Sequence, residues 1–173
     1  MDPVAIYVED HLALSLGGIR LAKRALAENQ GTPFADFLGR LLPELEEDRA
    51  ALKDIARALG SGGSALKEAA VVLGELAGRL KLNGRLFEYS PLSRLWELEG
   101  LMAGTESRRG LWKLLAKLRK RDPRLQPFDV ERHEERARHQ REELDRWRQR
   151  AADVAFGASG RKVPRAAAPE PAR

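Results

Sequence analysis

Five side chains in this sequence are of the types that hold a divalent metal: Glu47, Asp48, Glu99, Glu106 and His133. Carboxylate oxygens suit manganese, and adding imidazole suits iron. Helical spacing is what makes them candidates. Val130, His133, Ala137, Gln140, Leu144, Trp147, Ala151 and Val154 recur at steps of three and four, which turns His133 and Gln140 toward the apolar side of their helix. Leu92, Leu95, Glu99, Met102 and Glu106 form a second such row, with two carboxylates in it. Asp48 takes a place in a third row that runs through Phe34, Leu38, Leu41, Leu45, Leu52 and Ile55, with Glu44 and Glu47 beside it. In the first stretch, His11, Ser15, Gly18, Ala22 and Ala25 form a row of small and polar residues. Because buried carboxylates persist when a cation partners them, the same residues also read as ends of salt bridges and hydrogen bonds.

A second constellation is basic. Arg108, Arg109, Lys113, Lys117, Arg119, Lys120, Arg121 and Arg124 fall within seventeen residues that hold one acid, Asp122, while Leu111, Trp112, Leu114, Leu115 and Leu118 supply an apolar side. A basic amphipathic helix can lie on an anionic membrane or bind nucleic-acid phosphate, and the same pattern describes a bundle helix with a basic outer face. Charge is spread unevenly along the chain. Residues 1–60 hold 7 Lys/Arg against 10 Asp/Glu, whereas residues 107–173 hold 19 against 10.

Other chemistry finds little support. Ser64-Ala65-Leu66-Lys67 has the Ser-x-x-Lys spacing of an acylation pair but lacks its Ser-Asp-Asn and Lys-Thr-Gly companions. Gly60 to Ser64 is glycine-rich without P-loop spacing or a preceding strand, so Ser64 reads as a helix cap. The chain has no cysteine, which excludes a thiol nucleophile, a disulfide framework and thiolate-bound zinc or iron–sulfur centres.

The elements that position these residues are helical. Ala, Leu, Arg and Glu dominate the 173 residues, and no segment alternates apolar and polar long enough for a strand. Helices are expected over residues 4–28, 33–59, 64–82 (short), 91–120 and 129–156. The breaks are Gly31–Pro33, Gly60–Ser64, Asn83–Pro91 and Asp122–Pro127, with Pro43 kinking the second helix. Residues 1–156 thus form one helical domain, and the Gly-, Pro- and Ala-rich residues 157–173 read as a disordered tail. No apolar run is long enough to cross a bilayer, and Met1-Asp2-Pro3 opens without a signal-peptide core. A cytoplasmic protein is the expectation.

Four long helices, each aiming a polar residue at the bundle axis, with a break between the second and third long helices, resemble the ferritin-like superfamily. The resemblance covers residues 4–156 and implies a ferritin-like four-helix bundle with one additional short helix in the crossover. It also implies a carboxylate-bridged pair of iron or manganese ions, for which two helices each supply a lone Glu and two each supply Glu-x-x-His. The sequence departs from that pattern. No Glu-x-x-His occurs: Glu44-x-x-Glu47 keeps the spacing without imidazole, and Leu16-Gly17-Gly18-Ile19 stands where a lone Glu belongs. The reading is therefore a non-catalytic binding or scaffold protein without a cofactor, acting as a homodimer or with a protein partner. The alternatives are a divergent iron or manganese binder using Glu47, Asp48, Glu99, Glu106 and His133, and a nucleic-acid or anionic-surface binder using residues 108–124.

Overall fold

Cap-and-proline pairs open three of the helices. The first helix, α1, spans Pro3–Glu28 behind Asp2; α2 spans Pro33–Ala58 behind Thr32; α3 spans Pro91–Arg119 behind Ser90. In each, the cap oxygen accepts a backbone N–H left without a partner in the first turn, and the proline sits where its missing N–H loses nothing. Asp2 accepts from the Val4 amide at 2.9 Å, Thr32 from Ala35 at 3.2 Å and Ser90 from Ser93 at 3.2 Å. Asp122-Pro123 repeats the device for a single 3-10 turn, Pro123–Leu125. The last helix, α4, spans Val130–Gly157, and Asp129 accepts from the Arg132 amide at its start. Gly31 and Gly60, at φ 76° and 80°, end α1 and α2 in the left-handed conformation that glycine adopts at low cost. α2 continues as a helix through Pro43.

The computed structural model describes residues 2–61 and 89–157, and among these residues there is no β-strand. The expected short helix from Ser64 to Leu82, the break at Asn83–Gly84 and the tail from residue 158 lie outside the described residues. No helix among the described residues is long and apolar enough to cross a membrane.

The four helices bury two separate apolar clusters. The first joins Val8 and Leu12 of α1, Leu52 and Ile55 of α2, Trp112 and Leu115 of α3, and Val130 and Ala137 of α4. The second joins Ile19 and Ala22, Phe34 and Leu38, Leu95 and Leu98, and Leu144 and Ala151, taking the helices in the same order. The start of α1 therefore meets the ends of α2 and α3 and the start of α4. So α1 and α4 point one way, and α2 and α3 the other. α1 neighbours α2 and α3, and α4 neighbours α3 closely and α2 more loosely. Ser61 and Tyr89, which flank the connection between the parallel α2 and α3, stand at opposite ends of the bundle.

α3 presents a different side to the core from the one its sequence suggested. Leu95, Leu98, Leu101, Thr105, Trp112 and Leu115 are buried, whereas Leu92, Glu99 and Glu106 are exposed. α3 carries leucines on several sides, so more than one row fits helical spacing. The buried row includes Trp112, the largest fully buried side chain, and apolar burial stabilises in proportion to area. Val154 also differs: in the last turns of α4, Ala151 is the last buried residue and Val154 is 55% exposed.

Candidate functional site

Between the two apolar clusters lies a polar layer built by α2, α3 and α4. Asp48 is the one carboxylate at its centre, with a side chain 1% exposed. The row of α2 forces it inward, since it follows Leu41 and Leu45 and precedes Leu52 and Ile55 on the buried side. Three nitrogen-bearing side chains meet it. His133 Nδ1 stands 2.7 Å from Oδ1 and 3.0 Å from Arg136 Nη2. Arg136, one turn further along α4, donates to the same oxygen. From α3, Arg108 Nε lies 3.0 Å from Oδ2, an ion pair whose N–H is not aligned for a hydrogen bond.

The network spreads outward from there. Arg108 also donates to Gln140 Oε1, and Gln140 Nε2 donates to Glu44 at 2.7 Å. Arg136 holds Glu47 at 2.6 Å, and Arg132 reaches the other oxygen of Glu47 at 3.2 Å. The His133 ring lies flat on the Trp112 indole, with centroids 4.6 Å apart and planes 19° apart. On the α1 side, Arg49 of α2 donates to Ser15 Oγ at 2.7 Å and to the Leu12 carbonyl.

Electrostatics follow this geometry. Burial acts to raise the Asp48 carboxyl, but the His133 hydrogen bond and the Arg108 and Arg136 charges together outweigh it and hold the group below its ordinary value. The hydrogen bond from Arg136 lowers Glu47. Burial pulls Arg108 below its ordinary value, yet a guanidinium stays charged at any physiological pH. Burial also opposes the charge of Arg136, but Asp48 and Glu47 more than offset it and raise the group.

The structure thus joins Asp48, His133 and Glu47 and separates Glu99 and Glu106 from them. On α3 those two face water instead, and Glu106 is paired with Arg141 at 3.0 Å and with Arg109 at 3.4 Å. The residues present do not fit a di-metal centre. The central carboxylate is already neutralised by two guanidinium groups, whose charge would repel a cation at that place. No three His, Asp or Glu converge as a metal cluster among the described residues.

The basic segment is divided in the same way. Arg108 is inside. Arg109 pairs with Glu134 at 3.0 Å, Arg119 with Glu131 at 2.8 Å, and Arg124 with Asp122 and Asp2 at 2.6 and 2.7 Å, while Lys113 reaches Glu134 at 4.0 Å. Lys117, Lys120 and Arg121 have no ion-pair partner among the described residues and line, with Leu118, a shallow depression where α3 ends.

Sequence reasoning put Arg108 on the basic outer face and passed over Arg136 and a second buried polar group. Glu97 of α3 is 6% exposed; it accepts from Tyr89 Oη at 2.8 Å and pairs with Arg24 of α1 at 3.3 Å. Asn29 donates to the same tyrosine oxygen at 2.7 Å. Burial pushes the Glu97 carboxyl up, the Tyr89 hydrogen bond and Arg24 only partly oppose it, and the net shift is upward. The signal for Arg108 was in the sequence: an inward Asp48 and an inward Gln140 require a cation from the remaining helix.

No family model matches the chain, and neither a curated protein nor a solved structure matches it.

Proposed function

We propose that this chain is a ferritin-like helical bundle without catalytic activity, a cytoplasmic binding or scaffold protein that acts through its surface. The ferritin-like reading rests on helix direction: α1 and α4 oppose α2 and α3, and the connection from α2 to α3 starts at one end of the bundle and finishes at the other. The observation that carries the functional reading is Asp48, a fully buried carboxylate whose partners are two guanidinium groups and an imidazole. A layer compensated in this way holds helices together and leaves no anionic cage for iron or manganese. Elemental analysis of the full chain purified without chelator tests it. Iron and manganese well below one per chain agree with the reading. Stoichiometric metal, lost in Asp48→Asn, overturns it.

A second reading has its own observation. Lys117, Lys120 and Arg121, with no ion-pair partner among the described residues, give the end of α3 a positive surface suited to phosphate-bearing partners such as nucleic acid. Retention on a polyanion column that falls steeply with salt and is lost on replacing all three by Gln supports that use. Retention unchanged by the triple replacement argues against it.

A further inference from the structure

The side of α3 that faces away from the core carries a row of small residues with a large apolar residue at each end. Trp96 is 66% exposed and Leu114 39% exposed, and between them Gly100, Ala103, Ser107 and Gly110 are all exposed. Leu92, 47% exposed, extends the face by one turn. The six residues from Trp96 to Leu114 follow steps of four, three, four, three and four, the spacing by which one helix packs along another. Glycine within a helix is destabilising relative to alanine, yet a Cβ at Gly110 would meet nothing within 4 Å. The space beside Gly110 is therefore open to a second helix approaching closely. α1 widens the patch. Leu21 of α1 lies against Gly100, and α1 runs antiparallel to α3, so Leu14 falls level with Ser107 and Tyr7 with Leu114. Leu14 is 53% and Tyr7 38% exposed.

The row has the same spacing in both directions, with a large apolar residue at each end and small residues between, and this fits a second copy of the chain. An antiparallel copy of α3, related by a twofold axis level with residue 105, places Trp96 against the partner's Leu114, Gly100 against the partner's Gly110, and Ala103 against the partner's Ser107. Tryptophan seated between leucine and small residues is the kind of anchor that dominates interface energetics. The flanking charges agree with the same axis. Glu99 and Lys113, both exposed, lie on one edge of the row and come opposite each other across the twofold, giving two attractive pairs. Glu106, which meets its own copy near the axis, is already neutralised by Arg141 and Arg109.

We propose that the protein forms a twofold homodimer through antiparallel packing of the outward face of α3, with Trp96 and Leu114 as mutual anchors and Glu99–Lys113 pairs setting the register. This deepens the surface-binding reading by naming a second copy of the chain as the partner. Its failure would leave the metal content of the protein, which tests that reading separately, unchanged.

Sedimentation velocity on the full chain across the micromolar range tests the proposal, with circular dichroism as the check on folding. A concentration-dependent dimer is expected. Ala103→Glu, at an exposed position near the axis, should weaken it on the order of a hundredfold without loss of helix content. Glu99→Lys and Lys113→Glu should each weaken it roughly three- to tenfold, and the double exchange should restore the dimer because both pairs are re-formed with reversed sign. A chain that stays monomeric throughout overturns the proposal and leaves residues 62–88 or another protein as the occupant of this face. A dimer unaffected by Ala103→Glu, or weakened further by the double exchange, overturns it as well.

Discussion

Asp48 and Glu97 are both buried carboxylates in the same bundle, and their surroundings drive them in opposite directions. Asp48 meets His133, Arg108 and Arg136, and their combined pull exceeds the opposing effect of burial, so its charged form is favoured. Glu97 meets a tyrosine hydroxyl and one solvent-exposed arginine at 3.3 Å. Burial wins there and holds the carboxyl above its ordinary value. The difference shows that depth alone does not fix the state of an acid in this fold. What decides is the charge the neighbouring helices bring: two largely buried guanidinium groups lie beside Asp48, and one exposed arginine pairs with Glu97.

The largest effect that would break the comparison is removal of the central charge. Asp48→Leu strands Arg108, leaves Arg136 with Glu47 alone, and is expected to lower the unfolding free energy by about 3–5 kcal/mol in urea denaturation. Replacing Asp48, Arg108 and Arg136 together by Leu and Met should recover most of that loss, because no charge is then left without a partner. A triple variant no more stable than Asp48→Leu would show that the layer does more than balance charge. Glu97→Gln, by contrast, should change stability at pH 7 by no more than about 1 kcal/mol, since the native environment already disfavours the charge it removes.

The pH dependence of stability should separate the two sites by sign. A depressed acid contributes stability above its unfolded value, near 3.9 for Asp, and that contribution is lost as pH falls through the lower native value. Asp48→Asn should therefore flatten the acid side of the curve. A raised acid acts in the reverse sense. The native state of Glu97 binds more protons than the unfolded state between an unfolded value near 4.3 and the native one, so stability falls as pH rises through that window. Glu97→Gln should remove that decline. The smallest effects belong to the exposed acids: Glu99→Gln and Glu106→Gln should each stay within about 0.5 kcal/mol of the native chain in thermal unfolding.

Helix starts and the inward turn of Asp48, His133 and Gln140 were legible in the sequence for a local reason. Asp2-Pro3, Thr32-Pro33 and Ser90-Pro91 carry their own capping chemistry, and the rows of α2 and α4 leave one side on which the apolar residues fall. α3 was harder. Leu92, Leu95, Trp96, Leu98, Leu101, Met102, Leu111, Trp112, Leu114 and Leu115 surround the helix on most sides, and the row through Glu99 and Glu106 satisfies the spacing as well as the true one. Only packing against α1 and α4 distinguishes them. Arg108 was read with its neighbours as part of a basic outer surface, because an arginine announces burial only through a partner on another helix. Asp48 was visible, but its pairing across 60 residues of chain was not.

The central claim is that the layer around Asp48 is a closed set of ion pairs. Adding manganese, or ferrous iron without oxygen, to the full chain and measuring the unfolding free energy tests it most directly. No change is expected for the native protein or for Asp48→Asn. Stabilisation of the native protein by about 2.7 kcal/mol at a hundredfold excess over the dissociation constant, absent in Asp48→Asn, would contradict it.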